Sequence, residues 1–233
     1  MCGIADIIPL LELCKNNKFK TMDNLAEQIE ELNHTLSSQL PEEIFKAFGK
    51  SIEELKTEKI EERSLKTGDK MPEFILPNAH GKWVSSREIL TKGKMILAFY
   101  RGSWCPYCNL ELKGLQDHLS EIKNKNAALV AISPQSPDHS LTMIEKNDLE
   151  FELLTDTHNT LAEKLGITFQ LQEFVLPYYK ALGIELEHYN KNKSNTLPVP
   201  AVFVIDENGY VIFRFLDVNY MNRINIEELI KLL

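Results

Sequence analysis

The sequence has 233 residues, of which 43% are hydrophobic and 26% charged, with a formal net charge of −8 at pH 7. These values are typical of a globular protein with a sizeable buried core. The acidic balance and the lack of a basic patch exclude nucleic acid as an expected partner. No apolar run approaches the ~20 residues of a membrane span, and the first residues lack the pattern of a signal peptide, so neither is expected.

Residues 1–63 are predicted to form a helical extension because they contain few strand formers. A first helix is expected to begin near Thr21 to Asp23 and to carry apolar residues at helical spacing as far as Leu40. Pro41, followed by two glutamates, predicts the start of a second helix. We expect this pair to pack on the rest of the chain. The alternative is an arm that binds a partner or a second copy.

Two of the four cysteines, Cys2 and Cys14, lie in this extension and are most simply free thiols. The opening residues MCGI are similar to the start of N-terminal-cysteine amidotransferases, but no strand-rich domain follows, and four residues match by chance. Four cysteines in a chain of this length do not form a disulfide scaffold. A reducing, cytoplasmic setting is therefore expected.

Residues 64–233 alternate between strand and helix signals. The predicted strands cover residues 74–76, 82–84, 95–100, 127–132, 151–154, 202–206 and 210–215. The predicted helices cover residues 85–90, 106–122, 139–147, 159–165 and 225–233. Residues 168–197 are predicted to be an insertion with a helical middle, of a kind that often shapes a substrate entrance. The pattern predicts an α/β fold with a mixed central sheet flanked by helices.

The most informative motif is a Cys-x-x-Cys, formed by Cys105 and Cys108, between the strand at 95–100 and the following helix. Unpaired backbone N–H groups and the positive end of the helix dipole meet there, so the spacing predicts a low pKa for Cys105. Pro106 suits the first helical position, and Trp104 precedes the motif. The alternatives are a buried structural pair or half a metal site. No metal is expected, because no second pair lies at ligand spacing.

Two prolines, Pro198 and Pro200, lead into the strand that begins near Val202. A proline cannot donate to a sheet ladder, so it belongs at the start of a strand or in a tight turn. We predict a cis peptide at Pro200. The alternative is a trans proline that only ends the insertion.

Residues 99–112, reading FYRGSWCPYCNLEL, resemble the active-site segment of peroxiredoxin-like proteins of the alkyl hydroperoxide reductase C and thiol-specific antioxidant family. The resemblance extends over residues 68–77, 131–138, 145–151 and 197–209, and the helical extension fits the same subgroup. It implies a thioredoxin-like fold for residues 64–233. It also implies a peroxidase, without a cofactor, that reduces hydrogen peroxide and organic hydroperoxides.

The same resemblance implies a role for each cysteine. Cys105 would be the peroxidatic cysteine, an exposed thiolate that becomes a sulfenic acid, and Cys108 would resolve it as an intramolecular disulfide. A thioredoxin-like donor or a small thiol would then reduce that disulfide. Pro200 matches the cis proline that faces the Cys-x-x-Cys in thioredoxin-like proteins. The family and the helical extension also imply a homodimer.

The sequence departs from the family at several positions. Typical members carry Pro-x-x-x-Thr/Ser-x-x-Cys, where this chain has Ala98 and Gly102, so the hydroxyl that orients peroxide is missing unless Ser103 substitutes for it. The arginine that typical members carry before the strand at 202–206 is also missing. Arg101 is the nearest cation in the sequence and is a candidate for a role at the site. The alternative is that Arg101 is a solvated loop residue. Glu111 is expected to be a surface charge rather than a proton relay. A disulfide oxidoreductase and a non-enzymatic redox sensor are the alternative functions.

Overall fold

The computed structural model describes residues 24–233. The predictions for Cys2, Cys14 and a helix start at Thr21 to Asp23 lie outside these residues. The helices are α1 (Leu25–Gln39), α2 (Glu42–Thr57), α3 (Ile60–Arg63), α4 (Ser86–Leu90), α5 (Pro106–Asp117), α6 (Leu119–Asn124), α7 (Pro137–Asn147), α8 (Thr160–Lys164), α9 (Leu176–Ala181), α10 (Leu186–Asn190) and α11 (Ile226–Leu232). The strands are β1 (Ile75–Pro77), β2 (Trp83–Ser85), β3 (Lys94–Phe99), β4 (Ala127–Ser133), β5 (Glu152–Thr155), β6 (Thr168–Gln170), β7 (Thr196–Pro198), β8 (Ala201–Ile205) and β9 (Val211–Leu216).

Five strands form a mixed central sheet in the order β5-β4-β3-β8-β9. Strands β3, β4 and β5 are parallel, whereas β8 is antiparallel to both β3 and β9. The central strand β3 reads as an unbroken apolar run because both faces of the sheet are covered. Ile96 and Ala98 belong to one apolar cluster, and Met95, Leu97 and Phe99 belong to the other, on the opposite face. The predicted α/β fold with a mixed sheet is confirmed.

The N-terminal helices pack against the face of the sheet that also carries α5. Leu32 on α1 and Ile44 on α2 are buried in the same apolar cluster as the α5 residues. The Tyr107 hydroxyl on α5 donates to the Asn33 side chain on α1 at 2.6 Å. The structure therefore agrees with a helical pair packed on the rest of the chain. No helix within residues 24–233 is both long and apolar enough to cross a membrane.

Two elements differ from the sequence prediction. The helix expected to run to residue 122 breaks at His118, whose backbone is non-helical. The His118 ring forms a hydrogen bond with the Gly114 carbonyl at 2.9 Å, so the side chain occupies an acceptor that the helix would otherwise use. The insertion also contains a small antiparallel sheet of β6 and β7 and the helix α10, beyond its predicted helical middle.

The prediction of a cis peptide at Pro200 is wrong, because no peptide bond within residues 24–233 is cis. The chain passes from β7 into β8 without reversing direction. The Val199 N–H donates to the Ile167 carbonyl at 2.7 Å, and Ala201 already pairs with Phe99 in the central sheet. An extended path of this kind requires no turn, and the trans peptide is favoured by default.

Candidate active site

Both cysteines of the motif lie where β3 is followed by α5, as the sequence predicts. Cys105 is the N-cap residue of α5, and Pro106 occupies the first helical turn. Both cysteines are free thiols, and the Cys108 sulfur donates a hydrogen bond to the Cys105 sulfur at 2.8 Å. Both are fully buried, so the expectation of an exposed thiol is wrong for this conformation. Beside Cys105, the Trp104 ring packs against Tyr179, which comes from a segment far along the chain.

The loop before Cys105 is fixed by two amide side chains. Gln135, which follows β4, accepts a hydrogen bond from the Ser103 N–H at 2.7 Å. Asn109 on α5 donates to the carbonyls of Ser103 and Cys105, both at 2.8 Å. These bonds satisfy polar backbone groups that burial would otherwise leave unpaired. They also fix the position of Cys105 relative to β3 and α5.

The Cys105 sulfur is contacted by a guanidinium group rather than by the helix backbone. Within residues 24–233, this sulfur accepts no hydrogen bond from the N–H groups of the first turn of α5. Instead, Arg101 Nη2 donates to it at 3.2 Å, and Arg223 Nη2 lies 3.5 Å from the Cys108 sulfur. Stabilisation by helix amides was the predicted cause, and the structure shows a different one. The two buried sulfurs belong to an apolar cluster, but a guanidinium group lies within hydrogen-bonding distance of each.

The two cysteines have opposite pKa shifts. Burial raises the pKa of Cys105, but the hydrogen bond from Cys108 and the charges of Arg101 and Arg223 outweigh it and hold that pKa well below the ordinary thiol value. Burial and the neighbouring Cys105 thiolate raise the pKa of Cys108 well above it. The two shifts favour a thiolate at Cys105 and a thiol at Cys108, in agreement with the hydrogen bond that the Cys108 sulfur donates. Such a pair has a nucleophile and a proton donor in contact.

Arg101 is a residue of the site and not a solvated loop arginine. Only 4% of its surface is exposed. Its guanidinium lies 3.8 Å from the centroid of the Tyr220 ring, and Nη1 donates to the Tyr179 hydroxyl at 3.2 Å. Burial lowers the pKa of Arg101, but the Cys105 thiolate more than compensates, so the guanidinium stays charged. Aromatic stacking of this type suits arginine better than lysine.

The prediction that Glu111 is a surface charge is wrong. Its carboxylate forms an ion pair with Arg223 at 2.9 Å, and the two side chains are 2% and 1% exposed. Burial raises the pKa of Glu111, and Arg223 opposes that shift. The pair forms because Glu111 lies on the buried side of α5, where the segment before α11 brings Arg223 against it. The site therefore contains two guanidinium groups, one carboxylate and one thiolate.

Gly102 and Trp104 explain one departure from the family pattern. Gly102 has a φ of +152°, and a Cβ at this position would lie 2.4 Å from the Trp104 indole nitrogen. The hydroxyl-bearing residue of typical members is sterically excluded here. Among the described residues, the Ser103 hydroxyl forms no hydrogen bond with Cys105; the N–H of Ser103 is the group that is fixed, by Gln135. Pro200 lies at the same end of the central sheet as the cysteine motif, since Ala201, which follows it, pairs with Phe99 at the end of β3.

Several buried donors at the site have no partner. The Nε–H groups of Arg101 and Arg223 and the Trp104 indole N–H form no hydrogen bond within residues 24–233. Buried N–H groups are usually paired, so unpaired donors next to a reactive sulfur are candidates to meet ligand oxygen atoms. No group of three His, Cys, Asp or Glu side chains suited to a metal ion occurs in this part of the chain.

Sequence reasoning identified the contiguous motif but missed the residues that come from distant segments. Arg223 lies 115 positions after Cys108, and Tyr179 lies 78 positions after Arg101. Tyr220 was missed for the same reason. The one available signal was an arginine in the otherwise apolar and amide-rich stretch 220–226. Periodicity gives no information about contacts of such long range.

Two free cysteine sulfurs in contact, at the junction of a strand and a helix in a mixed α/β sheet, define a thiol-based redox protein of thioredoxin-like fold. A model of the AhpC/TSA family matches residues 67–214. The chain therefore belongs to the AhpC/TSA family.

Individual relatives agree with this assignment. The chain is 36% identical over 104 residues to the bcp protein of Buchnera aphidicola subsp. Schizaphis graminum. It is 32% identical over 104 residues to Peroxiredoxin Bcp of Escherichia coli K12. These alignments cover 45% and 44% of this chain and 65% of each relative. The chain thus spans less than two thirds of the length of these relatives.

A solved structure supports the fold. The crystal structure of peroxidoxin BcpB from Mycobacterium tuberculosis matches with a TM-score of 0.59 at 22% identity, covering 72% of this chain and 96% of that chain. The thioredoxin-like fold is thereby confirmed. The family match leaves out the helices α1 to α3 and the segment from 215 onward, which includes Tyr220 and Arg223. Part of the site is therefore built by residues outside the matched region.

Proposed function

We propose that this protein is a thiol peroxidase that reduces hydrogen peroxide and organic hydroperoxides through Cys105 and Cys108. The observation that supports this most strongly is the Cys105 thiolate with two donors, Arg101 at 3.2 Å and Cys108 at 2.8 Å. Membership of the AhpC/TSA family and similarity to a protein named peroxiredoxin agree with it.

In the proposed first step, the Cys105 sulfur attacks the terminal oxygen of the hydroperoxide. The S–O bond forms as the O–O bond breaks, and the leaving oxygen takes the proton of the neighbouring Cys108 thiol. The products are a Cys105 sulfenic acid, an alcohol or water, and a Cys108 thiolate. Arg101 contacts the attacking sulfur, so its guanidinium can stabilise the negative charge that develops on the leaving oxygen.

In the second step, the Cys108 thiolate attacks the Cys105 sulfenic sulfur, forms the disulfide and releases hydroxide. Arg223 lies 3.5 Å from the Cys108 sulfur and would stabilise this thiolate while it exists. The Glu111 carboxylate positions the Arg223 guanidinium through the buried ion pair. Arg223 and Glu111 thus serve the resolving cysteine, and Arg101 serves the peroxidatic one.

Two thiols of a reductant would then restore the pair, leaving as a disulfide of their own. A thioredoxin-like protein or a small thiol is the proposed reductant, and the cytoplasm is the proposed setting.

We further propose residues 1–63 as the helical extension and residues 64–233 as the thioredoxin-like domain, with 168–197 as an insertion. A homodimer is the proposed assembly.

Disulfide exchange is the second candidate function. It is favoured by the Cys-x-x-Cys with one thiolate and one thiol, the arrangement that disulfide oxidoreductases use. Burial disfavours it, because Cys105 is 0% exposed and a protein disulfide, which is far larger than a peroxide, requires a wider local opening to reach the sulfur. The peroxidase therefore fits the geometry better.

Stopped-flow mixing of the reduced protein with hydrogen peroxide tests the proposal. We expect oxidation of Cys105 at a rate far above that of free cysteine. Reduction of insulin by dithiothreitol, with and without the protein, measures the competing activity. A peroxide rate no faster than free cysteine, together with rapid insulin reduction, would assign disulfide exchange instead.

A further inference from the structure

A cavity of about 120 Å³ lies next to the cysteine motif, between the N-terminal helices and the active-site loop. One wall consists of apolar side chains of α1 and α2, among them Leu36, Phe48 and Ile52. The cavity is also lined by Trp104 and Pro106, which flank Cys105, and by Arg101, which contacts the Cys105 sulfur. Cys105 itself does not line the cavity, so Arg101 is the lining residue that connects it to the sulfur. We call it the α2 cavity.

Most of the apolar wall lies outside the part of the chain that the family model matches. That match covers residues 67–214, whereas Leu36, Phe48 and Ile52 precede it and Tyr220 follows it. The α2 cavity is therefore a feature of this chain and not of the matched region. Hydrogen peroxide has no apolar surface and would gain no affinity from such a wall.

We infer that the α2 cavity binds the hydrocarbon body of an organic hydroperoxide, with the O–O group directed to Arg101, the lining residue that contacts the Cys105 sulfur. This inference rests on the proposed peroxidase function. Arg101 is the one charged residue that lines the cavity in residues 24–233, so a hydrocarbon body with an oxygen-bearing end matches the lining. Apolar cavities of about 150 Å³ hold a benzene-sized ligand. The volume therefore suits a body about as large as a phenyl or tert-butyl group.

The reaction at this site is the one proposed above, and binding of the hydrocarbon group positions the O–O bond for it. The Cys105 sulfur takes the terminal oxygen, the O–O bond breaks, and the alcohol product keeps the other oxygen with the proton from Cys108. Burial of the hydrocarbon group would raise the local concentration of the O–O bond next to the sulfur. The rate with an organic hydroperoxide would then exceed that with hydrogen peroxide.

Gly49 on α2 provides a direct test, because it is an exposed residue that lines the α2 cavity. A Cβ added at Gly49 would meet nothing within 4 Å, and replacing a helical glycine favours the helix. Gly49→Leu therefore adds apolar volume to the cavity without a clash at the backbone. We expect the ratio of the cumene hydroperoxide rate to the hydrogen peroxide rate to fall about tenfold. The matched control is Lys46→Leu, an exposed residue of the same helix, which should leave the ratio unchanged.

A binding measurement separates this inference from the peroxidase proposal. Trp83→Phe removes the exposed tryptophan, so the remaining fluorescence reports on Trp104 in the cavity wall. Added cumyl alcohol should change that fluorescence in Trp83→Phe and have little effect in Trp83→Phe/Gly49→Leu. A protein that reacts with no hydroperoxide but binds the alcohol would overturn only the peroxidase proposal.

Three results would overturn the inference. They are no fluorescence change with cumyl alcohol, the same change in both backgrounds, or an unaltered rate ratio in Gly49→Leu. If Gly49→Leu instead changes the oligomeric state while the alcohol has no effect, the cavity is a contact with a second copy of the chain.

Discussion

At the scale of single residues, the Cys105 sulfur is fully buried and yet its pKa is held below the ordinary thiol value. Desolvation alone would make it an ordinary inert thiol. The positive charge of Arg101, the hydrogen bond from Cys108 and the more distant charge of Arg223 reverse that effect. The reactivity of the site therefore depends on side chains that can each be removed by one substitution.

Arg101→Met removes the charge closest to the sulfur, so the pKa of Cys105 should rise toward the ordinary thiol value. The thiolate fraction at neutral pH then falls, and the rate of alkylation by iodoacetamide should fall about tenfold or more. Arg101→Lys, which keeps the charge, should recover part of the loss. The ultraviolet absorbance of the thiolate, followed against pH, measures the shift directly. An unshifted titration in Arg101→Met would contradict this account of the low pKa.

The order of the two oxidation steps predicts different products in the two serine variants. Peroxide-treated wild type should lose two hydrogen atoms as the disulfide forms. Cys108→Ser should instead gain one oxygen atom at Cys105, because no resolving thiol is present, whereas Cys105→Ser should not change in mass. Mass spectrometry of the intact proteins distinguishes these products. A sulfenic acid on Cys108 in the Cys105→Ser variant would reverse the assigned roles.

How far the sequence predicts the site depends on how far apart its residues lie in the chain. Cys105, Pro106 and Cys108 could be placed because a strand, a turn and a helix follow one another directly. Glu111 could not, since its burial requires Arg223, which joins it only in the folded chain. Local patterns locate the proposed nucleophile, whereas long-range packing supplies the charges that lower its pKa.

At the scale of elements, the junction of β3 and α5 depends on a glycine. Gly102 has a positive φ, and a Cβ added there would lie 2.4 Å from the Trp104 indole nitrogen. Gly68 also has a positive φ, but a Cβ there would meet nothing within 4 Å. Substitutions at the two glycines can therefore be compared. Both incur the cost of a positive φ, but only a residue at 102 also overlaps with Trp104.

Gly68→Ala should cost about 1–2 kcal/mol, the usual penalty for an L-residue in this region. Gly102→Ala should cost about 1–3 kcal/mol more, because Trp104 must also move. Urea denaturation of both variants measures the difference in the free energy of unfolding. Equal losses in the two variants would show that Trp104 does not restrict the residue at 102.

Element prediction was most accurate where capping and periodicity agree. Asn225 was expected to open the last helix, and its side chain does accept a hydrogen bond from the Glu228 N–H at 3.0 Å. The β6–β7 pair was missed, because strands of three residues leave too little alternation to recognise. The break at His118 was missed, because it depends on a side chain bonding back to its own helix.

At the scale of the whole molecule, oxidation changes the buried charge balance. The reduced site pairs two guanidinium groups, Arg101 and Arg223, with the Cys105 thiolate and the Glu111 carboxylate. Formation of the disulfide removes the thiolate and leaves one buried positive charge without a partner. A broken buried pair costs about 3–5 kcal/mol. Closing so short a loop returns only about 2 kcal/mol.

The oxidised protein should therefore unfold at a lower urea concentration than the reduced protein, although a disulfide usually stabilises a fold. The difference should depend on pH. The folded pKa of Cys105 is depressed, so its contribution is fully present above the unfolded thiol pKa and is lost as pH falls through the folded pKa. Urea titrations of both forms at several pH values measure this. An oxidised form that is more stable at neutral pH would contradict the charge balance.

The complete burial of both sulfurs also limits how the cycle can be completed. A protein reductant must bring its own sulfur into contact with the Cys105–Cys108 bond, and the conformation described here leaves no path for it. In the proposed cycle, the aromatic side chains around the site, Trp104, Tyr179 and Tyr220, must therefore move apart before each reduction of the disulfide. Reductants of very different size and strength should accordingly reach the same maximal turnover number, set by the frequency of that opening and not by their own chemistry.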